Sequence, residues 1–125
     1  MVIVDANAIL RIILSDNAEM VEKVKKLILQ NEVLIKNEVM AEILYVLIKT
    51  YKIQKEETCR CLLALLEIKN VCFESKEIIR LAIQTYQQNN IDFVDCLLYA
   101  YHIIDKIDVF TFDKKMIKLI DPVEA

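Results

Sequence analysis

Four acidic residues are the strongest candidates for chemistry in this sequence: Asp5, Glu42, Asp95 and Asp113. Carboxylates that face one another repel, and such a group persists either by protonating one member or by binding a cation. Mg²⁺ and Mn²⁺ prefer oxygen ligands and keep several waters, so a few Asp and Glu side chains suffice without a His or Cys cage. Such a cation can activate water and neutralise charge on a phosphate. The pattern therefore indicates a Mg²⁺ (or Mn²⁺) site suited to phosphate-ester hydrolysis.

Each of these acids also has an ordinary structural interpretation. Asp5 and Asp113 could each be the N-cap of the helix that follows. Asp92 stands three residues before Asp95, which is the spacing of an N-cap and its N3 partner. Glu42 could be a solvated charge on a helix surface. A metal site is favoured over these interpretations only because four acids occur in order along the chain, each at a strand end or on a helix that could bring it to the site.

Short apolar, β-branched runs alternate with helical stretches along the chain. The predicted strands are Met1–Val4, Val33–Ile35, Val71–Phe73 and Val109–Thr111, with an edge strand that the tail around Pro122 could add. The predicted helices are Ala6–Leu14, Asn17–Gln30, Asn37–Thr50, Glu56–Ile68, Lys76–Gln88, Phe93–Ile104 and Lys114–Leu119. Because parallel strands need crossover connections, this alternation favours an α/β fold. We predict one domain over residues 1–125, a three-layer α/β/α arrangement around a short central parallel sheet of four to five strands.

This predicted fold would bring two of the acids together. Ligands of open α/β sheets bind outside the carboxyl ends of the strands. Asp5 directly follows the first predicted strand and Asp113 follows the fourth, so adjacency of these two strands would place their carboxylates side by side. Glu42 lies on a polar ridge of its helix, opposite the apolar stripe.

The composition and charge limit the class of protein. A chain of 125 residues that is 56% hydrophobic and 28% charged is typical of one globular domain. The net charge of −3 and the pI near 5.2 argue against binding nucleic acid through a bulk positive field. Lysine clusters such as Lys114, Lys115 and Lys118 could still meet phosphates, although lysines at helical spacing usually only solvate a face.

The cysteines, the apolar runs and the lack of glycine give further expectations. Four cysteines without CxxC spacing and a single histidine do not predict a zinc site, whereas reduced thiols in a cytoplasmic protein fit this usage. No secretory signal begins the sequence, and no apolar run is long enough to span a membrane. Because the chain has no glycine, we expect the Asn89-Asn90 pair to supply a positive φ.

Several blocks of the sequence resemble the PIN domain family, and within it the VapC-type toxins of prokaryotic toxin–antitoxin pairs. The blocks are VIVDANAILRIIL, NEVMAEILYVL, NIDFVDCLLYAYH and VFTFDKKMIKL. The resemblance implies a metal-dependent endoribonuclease in which Asp5, Glu42, Asp95 and Asp113 hold the cation. Ala6 departs from the hydroxyl residue that the family often has there.

Three residues could support the site: Asn7, for which the resemblance implies this role, and Thr111 and Asp92, which are placed close to the acids in the sequence. Asn7 would orient Asp5, and Thr111 would contact the site, but each could equally make a local backbone hydrogen bond. Asp92 could join the metal site or act as a helix cap.

The same resemblance implies partners, and two rival functions remain open. An RNA substrate, a small antitoxin that lays a peptide with a basic side chain across the acidic pocket, and a homodimer are expected, with no membrane attachment. One rival is a catalytically inactive PIN-like module that binds protein or RNA. The other is a signalling receiver with a phosphorylatable aspartate, which fits poorly because Asp5 lacks an adjacent acid and Glu74, rather than an aspartate, follows the third strand.

Overall fold

The computed structural model describes residues 1–120, and the chain divides into two compact units, Met1–Lys76 and Glu77–Ala125. The first unit contains a parallel sheet of three strands, ordered β1-β2-β3. These strands are β1 (Val2–Ile3), β2 (Val33–Ile35) and β3 (Val71–Phe73). Val33 and Ile35 of the middle strand are completely buried, as β-branched residues of a parallel strand usually are.

Four helices accompany this sheet in the first unit. They are α1 (Ala6–Leu14), α2 (Ala18–Gln30), α3 (Asn37–Lys49) and α4 (Lys55–Leu65). Helix α1 packs against α2 and α3, and α3 packs against α4. The fully buried side chains of Ile43, Leu47 and Leu62 follow the apolar spacing that predicted these helices.

The second unit is helical in the part that the structure describes. The chain enters it near the start of α5 (Lys76–Gln88) and continues through α6 (Phe93–Ile104) and α7 (Lys114–Leu119). Helix α6 packs against α7. The segment 106–113 connects these two helices without regular secondary structure.

The α/β class, the parallel sheet, the first three strands and all seven predicted helices are confirmed. The fourth predicted strand is wrong, because Val109–Thr111 pairs with no strand among residues 1–120, and the described sheet has three strands rather than four to five. A β-like sequence becomes a strand only where a neighbouring strand takes up its backbone groups. The expected edge strand around Pro122 lies outside the described residues.

Turns in this glycine-free chain use other residues than the sequence indicated. Among residues 1–120, the residues with positive φ are Ser15, Lys52, Asn70 and Lys106, so the expectation for Asn89-Asn90 was wrong. Asn70, which stands just before β3, is held by a bond from its Nδ2 to the Ile28 carbonyl at 2.9 Å. A short polar side chain of this kind lowers the cost of the left-handed conformation.

The four cysteines lie on α4, β3 and α6. All four cysteines are free thiols, with Cys59 and Cys96 buried. Burial raises the pKa of the Cys59 thiol above its ordinary value, which keeps it protonated and unreactive. No helix within residues 1–120 combines the length and apolar character needed to cross a membrane.

Candidate active site

Asp5 lies at the junction of β1 and α1, where it is the N-cap of that helix. Its Oδ1 accepts a hydrogen bond from the Ala8 backbone N–H at 3.0 Å, which satisfies one of the unpaired amides of the first turn. The cap uses one carboxylate oxygen, and the side chain is exposed, so capping and cation binding are compatible. Asn7 is also exposed, and the described residues show no hydrogen bond from Asn7 to Asp5.

Glu42 lies on the exposed polar ridge of α3, as predicted. Glu38, Tyr45 and Lys49 share that exposed face. Strand β2 leads into α3 and pairs in parallel with β1, so α1 and α3 both leave the sheet at its carboxyl edge. Glu42 is the sixth residue of α3, about 7 Å along the helix from its start at a rise of about 1.5 Å per residue.

A third acid at this edge, Glu74, was not among the predicted site residues. Its Oε1 accepts a hydrogen bond from the Asn37 backbone N–H at 2.9 Å, and its Oε2 lies 3.3 Å from Lys36 Nζ. The Asn37 hydrogen bond and the Lys36 ammonium hold the pKa of Glu74 below its ordinary value, against a smaller opposing effect of burial. Glu74 therefore accepts a hydrogen bond from the first backbone N–H of α3. Its position directly after the third predicted strand is the sequence feature that could have indicated this acid.

In the second unit, three of the predicted acids surround one cavity. The cavity has a volume of about 380 Å³ and is lined by Asn90, Ile91, Asp92, Asp95, Asp113, Lys114 and Lys115. The half-buried Asp95 carboxyl has a pKa above its ordinary value, first because of burial and then because of the Asp113 and Asp92 carboxylates. Asp95 is thus held in a place where its negative charge is unfavourable without a nearby cation.

Asp113 is fixed as the N-cap of α7. Its Oδ1 accepts hydrogen bonds from the Lys115 N–H at 2.9 Å and the Met116 N–H at 3.1 Å. Its own backbone N–H donates to Thr111 Oγ1 at 3.0 Å. Thr111 therefore makes the local backbone hydrogen bond that was one of its two interpretations, and it does not itself line the cavity. Both side-chain bonds of Asp113 use Oδ1, so its second oxygen remains available.

Asp92 occupies the N-cap position of α6 but does not cap it with its side chain. Asp92 therefore has the N-cap position that the capping-pair interpretation predicted, but it does not make the predicted side-chain hydrogen bond. Asp92 instead lines the cavity and contributes to the raised pKa of Asp95. Lys115 and Asn90 also line the cavity, and a hydrogen bond from Lys115 Nζ to the Asn90 carbonyl, at 3.1 Å, joins them.

These residues fit a hard divalent cation that keeps much of its own water. No three Asp, Glu, His or Cys side chains within residues 1–120 are arranged to enclose a metal ion by themselves. Mg²⁺ is often held by only one or two carboxylates together with waters and substrate phosphates. Asp95 and Asp113, which carry oxygen donors and interact unfavourably as like charges, supply that kind of donor set.

Comparison with known proteins identifies the family. The PIN domain model matches residues 2–121, which is nearly the whole chain. A search of curated proteins found no significant match. PIN domains are typically metal-dependent nucleases, which indicates a hydrolase that acts on nucleic acid. The chain belongs to the PIN domain family.

Proposed function

We propose that this protein is a metal-dependent endoribonuclease that hydrolyses RNA phosphodiester bonds. The observation that carries the proposal is that the half-buried Asp95 shares a cavity of about 380 Å³ with Asp92 and Asp113. Burial, and then these two carboxylates, raise the pKa of Asp95. An unfavourable cluster of oxygen donors in a cavity is characteristic of a functional site. Membership of a nuclease family supports this interpretation over a purely structural one.

We assign the cation, Mg²⁺ or Mn²⁺, to Asp5, Glu42, Asp95 and Asp113. When bound, it would lower the pKa of a water molecule and neutralise charge on the scissile phosphate. Asp113, oriented by two backbone amides at Oδ1, offers its other oxygen in a fixed direction. Burial, and then the Asp113 and Asp92 carboxylates, raise the pKa of Asp95 above its ordinary value, and a cation in the cavity would stabilise its charged form.

The histidine content favours water as the nucleophile. Cleavage through the RNA 2′-hydroxyl needs an acid–base pair, commonly two histidines. The chain has one, His102, and its Nδ1 lies 2.8 Å from the Ile107 carbonyl oxygen. Attack by water would leave a 5′-phosphate and a 3′-hydroxyl, and these ends distinguish the two chemistries.

The test is cleavage of mixed cellular RNA by the purified chain with Mg²⁺, with Mn²⁺ and with chelator. We expect discrete cuts that carry 5′-phosphates, that require the cation, and that Asp95→Asn and Asp113→Asn each reduce at least a hundredfold. Asp108→Asn is the matched control, because Asp108 is an exposed acid of the same unit that does not line the cavity. Cuts that survive the chelator or both active-site variants would contradict the proposal.

We further propose that the nuclease is the toxin of a type II toxin–antitoxin pair and acts as a homodimer in the cytoplasm. The similarity of its sequence blocks to VapC-type toxins and the acidic cavity, which suits a basic antitoxin side chain, support this role. Expression of the chain in a bacterial host should arrest growth, and Asp95→Asn should abolish the arrest. Sedimentation of the purified protein tests the dimer.

A second candidate function is a PIN-like module that binds RNA or protein without catalysis. It is favoured by one observation, namely that residues 1–120 present no self-contained three-ligand metal site. Calorimetric titration with Mn²⁺ separates the two functions, since a pure module should bind the cation no more tightly than the Asp95→Asn variant does.

A further inference from the structure

Lys115 makes hydrogen bonds at both of its ends, and the two bonds join different walls of the acidic cavity. Its backbone N–H donates to Asp113 Oδ1 at 2.9 Å, and its Nζ donates to the Asn90 carbonyl at 3.1 Å. Asn90 stands two residues before Asp92, in the loop that leads into α6. We call these two hydrogen bonds the Lys115 link.

The Lys115 ammonium bonds to a neutral carbonyl although it shares the cavity with three carboxylates. Asp92, Asp95 and Asp113 line the same cavity, yet within residues 1–120 neither Lys114 nor Lys115 makes an ion pair with any of them. A lysine that only neutralised the cavity would lie against a carboxylate, because opposite charges attract most strongly at short range. Lys115 therefore makes a structural contact and leaves the carboxylate oxygens to another cation.

Helix α7, which has Asp113 as its N-cap, needs support from the rest of the unit. It has six residues, whereas isolated helices shorter than about 12–15 residues are marginal in water. The preceding segment 106–113 has no regular secondary structure, so it does not fix where α7 begins. The buried side chains of Met116 and Ile120 anchor the middle and the end of the helix. The Lys115 link is the long-range side-chain contact at its start.

The other partner of the Lys115 link belongs to a loop that is itself fixed. Asn89 Nδ2 donates to the Thr85 carbonyl of α5 at 2.9 Å. Phe93, the first residue of α6, is buried, and its ring meets that of Tyr86 in an edge-to-face contact with centroids 5.9 Å apart. These contacts hold both ends of the loop, so the Asn90 carbonyl is a fixed point to which Lys115 can attach α7.

We propose that Lys115 is a positioning residue for the candidate cation site, which holds Asp113 beside Asp95 so that both carboxylates bind one cation. Asp113 moves with the first turn of α7, and a displacement of about 1 Å in a reacting site can cost about a hundredfold in rate. The inference rests on the proposed function for the cation. The effect of Lys115 on α7, however, is measured without metal and without RNA.

Lys114 provides the matched control for Lys115. It is also exposed and also lines the cavity, but its side chain makes no hydrogen bond or ion pair within residues 1–120. Lys114→Met and Lys115→Met therefore remove the same charge, and only the second removes the bond to Asn90. Lys115→Arg keeps a cationic N–H donor for that carbonyl.

The first test is amide hydrogen exchange of the isotopically labelled full chain in chelator, followed by NMR. The reporters are the Met116 N–H, which donates to Asp113 Oδ1, and the Ile117 N–H, which donates to the Asp113 carbonyl. In Lys115→Met both should exchange about tenfold faster than in the wild type, because the first turn of α7 opens more often. Lys114→Met should change both rates less than about twofold, and Lys115→Arg less than about threefold.

The second test is calorimetric titration with Mn²⁺, in which the two lysine variants should change in opposite directions. Loss of a positive charge beside the cavity strengthens cation binding by itself, so Lys114→Met should lower the Mn²⁺ Kd by about twofold. Lys115→Met loses the same charge but also releases Asp113, so its Kd should rise by about fivefold. Lys115→Arg should restore a Kd within about twofold of the wild type.

Two results would overturn the inference. One is exchange of the Met116 and Ile117 amides at wild-type rates in Lys115→Met. The other is a lower Mn²⁺ Kd in Lys115→Met that equals the one in Lys114→Met, since Lys115 would then act only through its charge. Failure of the proposed nuclease function gives a different pattern: the exchange rates respond to Lys115→Met as expected, but the wild type neither binds Mn²⁺ nor cleaves RNA. The Lys115 link would then support α7 alone, and its role at a cation site would fall with the proposed function.

Discussion

Asp5 and Asp113 each cap a helix, and in the proposed function each also binds the cation. Each caps a helix through Oδ1, and the cap itself fixes where the second oxygen lies. From the sequence, capping and metal binding were alternative roles for these residues. A carboxylate has two oxygens, so one can accept the capping hydrogen bonds while the other is available to a cation. Asp95 differs because it is not the N-cap of its helix. Burial and the neighbouring carboxylates disfavour its negative charge.

The raised pKa of Asp95 predicts that removing its charge stabilises the fold. A raised pKa in the folded state means that Asp95 contributes most stability below its ordinary value of 3.8 and loses that contribution as the pH rises through its folded-state value. At pH 7 Asp95→Asn should therefore be more stable than the wild type, by roughly 0.5 kcal/mol, because it removes a charge that is disfavoured by burial and by the two neighbouring carboxylates. Urea unfolding at pH 7 and at pH 4 measures the difference, which should shrink at the lower pH. A destabilised Asp95→Asn at pH 7, with Asp108→Asn neutral, would contradict the explanation.

Glu74 should behave in the opposite sense. Its lowered pKa, caused first by the Asn37 N–H and also by Lys36, gives stability that is present above the ordinary value of 4.5 and lost as the pH falls through the folded-state value. Glu74→Gln keeps an acceptor but loses the charge, so we expect a loss of about 0.5–1 kcal/mol at pH 7 that disappears in acid. Glu22→Gln, an exposed acid of α2, is the control. A gap between wild type and Glu74→Gln that persists unchanged to pH 3 would refute the assignment.

At the scale of the elements, helices were predictable and the last strand was not. Apolar spacing together with polar caps such as Asn17, whose Oδ1 accepts from the Met20 N–H at 3.0 Å, specifies a helix locally. The VFTF run has the alternation of a strand, but a strand also needs a partner elsewhere in the chain, and sequence pattern does not supply one. For the same reason, the argument that placed Asp113 by strand adjacency was wrong, while its other interpretation as a helix cap was right.

The structure places part of the predicted acid set around one cavity. Asp95 and Asp113 of the ordered set line it, together with Asp92, which was a supporting candidate. The capping role of Glu74 was missed because it depends on a contact between residues 37 positions apart. The exposure of Phe110 and Phe112 was not predicted, because Val109–Thr111 was assigned to a strand.

Helix α4 contains a buried hydroxyl that appears in no hydrogen bond. Thr58 is completely buried, and its Oγ1 has no partner among the described residues. Thr58→Val replaces the hydroxyl with a methyl group of similar size, so we expect a gain of roughly 1 kcal/mol in unfolding free energy. Thr85→Val is the matched control, because the buried Thr85 Oγ1 donates to the Leu81 carbonyl at 2.7 Å and its removal should not stabilise. Equal effects of both substitutions in thermal unfolding would show that the missing hydrogen bond is not the cause.

At the scale of the whole molecule, binding of a cation to the proposed set of Asp5, Glu42, Asp95 and Asp113 should stabilise the fold. A cation that binds only the folded chain stabilises it by about 2.7 kcal/mol at a concentration one hundred times its Kd. Saturating Mn²⁺ should therefore raise the Tm by several degrees, and chelator should reverse the shift.

The proposed four-acid set predicts that Asp5→Asn and Asp95→Asn each abolish the Mn²⁺-dependent rise in Tm, while Asp108→Asn keeps it. The reason is energetic: a weakly enclosed divalent cation that loses one of few charged ligands loses most of its affinity. Differential scanning fluorimetry with a series of Mn²⁺ concentrations measures the shift for each variant. If Asp5→Asn retains the full shift and Asp95→Asn loses it, the cation belongs to the acids of the second unit, and Asp5 serves the fold as the cap of α1.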